Sequence, residues 1–219
     1  MCMIFSMTIK VPNKILKTAK GRKISSTKWL QRQINDRFVM LAQKQGYRSR
    51  ATFKILEIDE KFKIFKKGQK VLDLGSTPGG WSQYAVKKVG DNNVVALDIL
   101  EMKELKGVLF IQTDFLLPNA TEKIGTDFDV VMSDMAANTT GDRNTDHFRT
   151  MELIEKAYNF ATTILKKDGV FITKIFQGIG EPEFFELIKK DFNSVKHFKP
   201  EASRKESVEN YIVAQGFKK

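Results

Sequence analysis

Five short apolar segments, each carrying an acid, a glycine or a lysine at or near its end, recur between stretches with helical character: VLDLG, VVALDIL, LFIQTDF, DVVMSDM and VFITKIF. Near-continuous apolar runs of this length suit strands buried on both faces, and their alternation with helices specifies a mostly parallel sheet covered on both sides. The helices expected between them are 81–89, 151–165 and 183–191. SVKHFKP and YIVAQGF then read as two closing strands, seven in all. The sequence shows no internal repeat, low-complexity stretch or second domain.

Upstream of the sheet the chain has a different character. Residues 1–56 carry 13 Lys and Arg against one acid, Asp36, within a chain of net charge +11. Segregated positive charge of this kind meets nucleic acid or an anionic membrane. Residues 1–23 read as a loose basic arm, and Pro12 and the lack of Arg before Arg22 argue against a mitochondrial transit peptide. Ser26 or Thr27 is placed to cap a helix running through Trp29, Ile34, Phe38 and Leu41, and apolar spacing predicts a further helix over 51–65. The domain reading is therefore an arm, 1–23, and a single domain, 24–219, in which 24–67 is a basic helical part and 68–219 the sheet.

One cysteine, Cys2, excludes an internal disulfide framework and a cysteine metal cluster, and two histidines make a zinc site improbable; no metal is expected. No apolar run approaches the roughly 18 residues needed to span a bilayer.

Ligands of such sheets bind at the carboxyl ends of the strands. There the stretch VLDLGSTPGGW places Gly75, Gly79 and Gly80, which let a ligand approach the main chain, and Trp81. The G-x-G-x-x-G spacing of dinucleotide sites and the Walker lysine are both absent. Asp98 closes the second strand, where an acid can accept both ribose hydroxyls, and Asp114 closes the third, within reach of an adenine amino group. A glycine loop with two such acids suits an adenosyl ligand without a pyrophosphate, of which S-adenosylmethionine is one. Four further residues are candidates for chemistry. Asp134 ends the fourth strand in the same crevice. Lys174 lies inside the apolar run VFITKIF, where an unpaired lysine is costly. Lys54 sits on an amphipathic helix, ordinarily the position of a solvated lysine, and Glu209 enters the last strand, where a surface ion pair is the ordinary reading.

Taken together, RSRATFKILEI, VLDLGSTPGGWSQY, ALDIL, SDMAANTTG, FITKIFQG and SRKESVENYIVA resemble the FtsJ/RrmJ-type ribose 2′-O-methyltransferases, most closely those acting on bacterial large-subunit rRNA, from about Tyr47 to Gly216. The resemblance implies a Rossmann-like, S-adenosylmethionine-dependent methyltransferase sheet with an antiparallel last strand. It implies a catalytic tetrad of Lys54, Asp134, Lys174 and Glu209, and cofactor contacts at Gly79, Trp81, Asp98, Asp114 and Asp134. Ala137 stands where the family pattern has proline, and the spacing around SVEN differs slightly from that pattern. The implied reaction is methylation of one uridine ribose of 23S rRNA on the assembled large subunit, in the cytoplasm, by a protein expected to be monomeric. Lys174 is the expected general base: burial and the second cation, Lys54, favour its neutral amine, and Asp134 opposes this. Asp134 is expected to orient the base and the methyl donor, and Lys54 and Glu209 to fix the hydroxyl. The basic segment would then grip RNA phosphates, with Trp29 and Phe38 as stacking candidates, although core packing is the stronger reading for Phe38. The alternatives are the same chemistry on tRNA or an mRNA cap, a non-catalytic assembly factor, and a nicotinamide oxidoreductase, disfavoured by its missing glycine fingerprint.

Overall fold

The computed structural model describes residues 14–16 and 24–219. The rest of the expected basic arm, and the Trp29 side chain, lie outside the described residues. Ahead of the sheet come α1 (Ile24–Ile34), α2 (Arg37–Gln45) and α3 (Thr52–Phe62). The single helix expected through Leu41 is thus two. Asp36 breaks it: its backbone is extended (φ −86°, ψ 117°), and its carboxylate accepts hydrogen bonds from the N–H groups of Phe38 at 2.9 Å and Val39 at 3.4 Å. An aspartate that can cap a new helix competes with continuing the old one. The first helix also starts at Ile24, so Ser26 and Thr27 lie inside it rather than at its cap.

The sheet follows as β1 (Val71–Leu74), α4 (Gly80–Val89), β2 (Val94–Asp98), β3 (Val108–Gln112), α5 (Ala120–Ile124), β4 (Phe128–Ser133), α6 (Arg143–Ile164), β5 (Leu165–Phe176), α7 (Glu181–Asp191), β6 (Phe192–Phe198) and β7 (Glu209–Phe217). Strand order is β3-β2-β1-β4-β5-β7-β6, and β7, the last strand, is antiparallel to both neighbours, as the family resemblance implied. Helix α6 begins eight residues before the expected start, capped by the Asp142 carboxylate on the Thr145 N–H at 2.8 Å; its first two turns are polar and carry no apolar period.

Alternation along the strands builds two cores. Leu72, Leu74, Val131, Phe171 and Ile212 face α6 and α7, whereas Val71, Val130, Met132, Ile172 and Tyr211 face α3 and α4. Both sets are buried, which is why the strands read as unbroken apolar runs. A third cluster joins α2 to α3 through Phe38, Leu41 and Phe53; the Phe38 and Phe53 rings lie 5.5 Å apart. Phe38 is 5% exposed and is a core residue rather than a stacking surface. Because strand order reverses between β1 and β4, the loops leaving these two strands diverge and leave a crevice at their carboxyl ends.

Candidate active site

The four residues singled out for chemistry converge at that crevice from four different elements. Lys54 projects from α3, Asp134 follows β4, Lys174 lies in β5 and Glu209 opens β7. Lys54 Nζ donates to the Glu209 carboxylate at 2.9 Å and to both Asp134 oxygens at 3.5 Å. Lys174 Nζ donates to the Asp134 main-chain carbonyl at 2.5 Å and to Asp134 Oδ1 at 3.2 Å. Lys54 and Lys174 are only 7% and 8% exposed, so neither is a solvated lysine, and Glu209 is no surface ion pair. Two ammonium groups and two carboxylates share the buried space, and charges taken out of water persist only when paired and hydrogen-bonded in this way.

A fifth member completes the group. Tyr211 is fully buried and donates its phenol O–H to Asp134 Oδ1 at 2.6 Å. Its register explains the contact: β7 pairs antiparallel with β5 so that Lys174 faces Tyr211 and Phe176 faces Glu209. Residues two apart on a strand share a face, so the choice of Glu209 already pointed to Tyr211. Burial, followed by the carboxylates of Asp134 and Glu209, pushes the phenol well above its ordinary pKa and keeps it a donor. Burial pushes Asp134 upward too, but Lys174, Lys54 and the Tyr211 hydrogen bond outweigh it and hold its carboxyl below the usual aspartate value. Ser203 Oγ donates to Glu209 Oε1 at 2.7 Å and fixes the outer carboxylate.

Beside this group lies a cavity of about 160 Å³ lined by Ser49, Asp73, Gly75, Gly80, Trp81 and Asp134, among others. Its glycines are required by space. A Cβ on Gly75, whose φ is +70°, would lie 2.0 Å from Met135 Cγ, and one on Gly80 would lie 2.4 Å from Ser49 Oγ. Gly79, at φ +98°, forms the left-handed entry to α4. Trp81 is nearly buried, donates its Nε1–H to the Ala51 carbonyl at 2.9 Å and packs 5.7 Å from the Tyr211 ring, so it walls the cavity off from α3.

Gly79, Asp98 and Asp114 do not line this cavity. The Asp98 carboxylate accepts from the Thr77 and Leu100 N–H groups, each at 2.8 Å, and so ties the glycine loop to the end of β2 while each oxygen keeps a lone pair. Asp114 accepts from the Leu116 N–H at 2.9 Å in a local turn. Ser49 and Asp73 also line the cavity, and the sequence reading gave neither a role. Ser49 Oγ is buried with no hydrogen-bond partner among the described residues. Asp73, 1% exposed, accepts from Ser82 Oγ at 2.6 Å, and its carboxyl is pushed up to about 7, mainly by burial. Neither has a local signature, because an orphaned hydroxyl and a desolvated acid are tertiary properties.

On the other side of Lys54 a second cavity, about 290 Å³, is lined by Gln33, Arg50, Arg204, Ser207 and Glu209. It carries the basic character of the upstream helices to the mouth of the buried group. Among the described residues, no cluster of three or more His, Cys, Asp or Glu could hold a metal ion, and no helix is long and apolar enough to cross a membrane.

Residues 47–217 match the model of the FtsJ-like methyltransferase family. The chain is 52% identical over 211 residues to "Ribosomal RNA large subunit methyltransferase E" of Rhodopseudomonas palustris strain BisA53, spanning 93% of this chain and 90% of that protein. It is 51% identical to the protein of the same name from Bradyrhizobium diazoefficiens, over 93% and 92% of the two chains. A solved structure of a Plasmodium falciparum protein assigned as a ribosomal RNA methyltransferase superposes with a TM-score of 0.69 at 26% identity, over 78% of this chain and 98% of that one. The chain belongs to the FtsJ-like methyltransferase family.

Proposed function

We propose that this family member transfers a methyl group from S-adenosylmethionine to a ribose 2′-hydroxyl of large-subunit ribosomal RNA, at a single uridine of the assembled subunit. The observation that carries the reading is the buried Lys54–Asp134–Lys174–Glu209 group standing between a glycine-lined cavity and a basic one. The names of the relatives support the RNA class, and Lys and Arg on the upstream helices suit its phosphates.

The cavity fits such a cofactor on its own chemistry. An unpartnered buried hydroxyl at Ser49 is a donor awaiting an acceptor, and glycines without room for a Cβ let a ligand reach the main chain. Gly75, Gly79, Gly80 and Trp81 would hold the methyl donor, with Asp98 at the ribose, Asp114 at the adenine, Ser49 and Asp73 at the amino-acid part, and Asp134 shared with catalysis. The bound donor supplies a methyl group activated by its sulfonium.

The chain's own residues do the rest. Lys174, once it has given up its own proton, would take the proton of the 2′-hydroxyl that receives the methyl group. Asp134, held ionised by its cations and by Tyr211, orients that amine and stabilises the ammonium it becomes. Lys54, anchored on Glu209, positions the hydroxyl in line with the methyl group, and much of the acceleration comes from this alignment. The protein works as a cytoplasmic monomer, with the helical part before the sheet as its RNA-binding face.

The test is transfer from labelled S-adenosylmethionine to large subunits lacking the modification, to free rRNA and to tRNA, with the sites mapped. Labelling of one ribose on the subunit is the expected result. Labelling of tRNA alone would keep the chemistry and overturn the substrate, and bound cofactor with no transfer anywhere would point to an assembly factor. Lys174→Ala should keep the fold and cofactor binding while losing transfer; wild-type turnover by that variant would remove Lys174 from its role.

A further inference from the structure

Helix α3 carries a second buried charged residue one turn beyond Lys54. Glu57 is 7% exposed, and its carboxylate accepts the main-chain N–H groups of Glu201 at 2.6 Å and Ala202 at 3.0 Å. Both belong to the segment between β6 and β7, which ends in Glu209. Residues three apart on a helix are neighbours on its surface. Lys54 and Glu57 therefore reach the same segment, Glu57 near its start and Lys54 at its end.

A turn lies between those two points. The Ser203 N–H donates to the Pro200 carbonyl at 3.0 Å, which makes 200–203 a β-turn with Glu201 and Ala202 at its centre. Ala202 is fully buried in the cluster of Phe38, Leu41 and Phe53, and Arg50 donates to its carbonyl. Ser203, 4% exposed, gives its hydroxyl to Glu209 Oε1 at 2.7 Å, while Lys54 donates to the same carboxylate at 2.9 Å. Burial pushes the Glu57 carboxyl up to about 6 against the pull of its two N–H bonds, so the acid sits there at a cost. What it supplies is an acceptor for two main-chain N–H groups that the turn cannot pair for itself. Neither Glu57 nor Ser203 lines the cavities beside the buried group.

Resting on the methyl-transfer reading above, we infer that Glu57 and Ser203 are positioning residues: Glu57 sets the 200–203 turn, the turn sets the Ser203 hydroxyl, and the hydroxyl aims the Glu209 carboxylate that anchors Lys54. Neither touches RNA or cofactor. Their effect appears as slower transfer at unchanged substrate binding.

Three substitutions enter this relay at separate points in the full-length chain. Glu57→Gln keeps the shape and one acceptor but sets an amide donor against an N–H. Glu201→Pro removes one of the two N–H groups from the other side, and proline suits this position of a turn. Ser203→Ala removes the hydroxyl alone. Glu201→Ala, which keeps the N–H and removes the same charge, is the control. The readouts are steady-state methylation of unmodified large ribosomal subunits and the carbon-13 signal of the Glu209 side-chain carboxyl in labelled protein. Each of the three variants is expected to lower kcat about five- to tenfold at unchanged KM, because misplacing an aligned group slows the chemistry. Each should also move the Glu209 signal in the same direction, whereas Glu201→Ala stays at wild type in both readouts. Glu57→Gln combined with Ser203→Ala should be no slower than the slower single variant. A loss in the pair equal to the product of the two single losses would overturn the relay, since Glu57 would then act elsewhere than through Ser203. Wild-type kcat and an unmoved Glu209 signal in Glu57→Gln and Glu201→Pro would remove Glu57 from the role. Should Glu57→Gln fail to fold, Glu201→Pro decides the same point. If the wild type methylated no RNA, the functional reading would fail, and the Glu209 signal would still decide the relay.

Discussion

Asp73 offers the sharpest energetic test. It sits in the middle of β1, 1% exposed, with one hydroxyl donor from Ser82. Burial, with smaller contributions from the Asp134 and Asp98 charges, raises its carboxyl from the usual 3.8 to about 7. The folded protein thus holds the proton more tightly than the unfolded chain does. The group's contribution to stability is fully present below pH 3.8, declines as pH rises through the interval, and is gone above about pH 7. At 1.36 kcal/mol per unit the whole interval corresponds to about 4 kcal/mol, and the portion between pH 4.5 and 7.5 to about 3 kcal/mol. Asp73→Asn keeps the shape and one acceptor for Ser82 but cannot ionise. Urea denaturation of the cofactor-free wild type and variant across this range should show wild type losing about 3 kcal/mol relative to the variant as pH rises. A difference constant to within about 1 kcal/mol would refute the claim that the carboxylate is forced into a desolvated site.

Tyr211→Phe should cost about 1–3 kcal/mol at neutral pH, read by urea denaturation, because it strips a hydrogen bond from a buried carboxylate. Since that bond helps hold Asp134 below the usual 3.8, the deficit should persist at and above neutral pH and fade only as pH falls below that value. Gly80→Ala should weaken S-adenosylmethionine binding by tenfold or more in calorimetry, since its Cβ would displace Ser49 Oγ from 2.4 Å, with a stability loss of only about 1–2 kcal/mol. Asp36→Ala removes both the cap of α2 and the partner of Arg50 at 3.1 Å, and should lower stability by about 2–3 kcal/mol in denaturant titration.

What the sequence disclosed followed from where burial is periodic. The central strands were legible because both of their faces are covered, and the crevice was legible because acids and glycines end them. The start of α6 was hidden because Arg143 to Arg149 are mostly exposed and polar, and α5 because five residues hold no full period. Asn35-Asp36 was the available sign of the break between α1 and α2, overridden by the apolar spacing on either side of it. Within the site, Lys174 announced itself as a lysine in an apolar run. Lys54 stood out less: on an amphipathic helix it looks like any solvated lysine, and motif resemblance was what gave it a role. Ser49 and Asp73 needed the folded chain, since nothing adjacent in sequence says that a serine will be buried alone or that an acid within a strand will be dry.

The placement of β7 between β5 and β6 bears on how the protein is made. Synthesis runs from the N-terminus, so every other strand exists before residue 209 is added. Until β7 arrives, β5 has an open edge, β6 has no neighbour, and Lys54 and Lys174 share the single carboxylate of Asp134. Glu209 and Tyr211 close the edge, balance the charge and complete the buried group around Asp134 in one insertion. A chain arrested short of that strand would lack two members of the proposed catalytic group and would expose the unpaired strand edge through which aggregates grow. The order of translation thereby couples the assembly of the buried charged group to the completion of the fold.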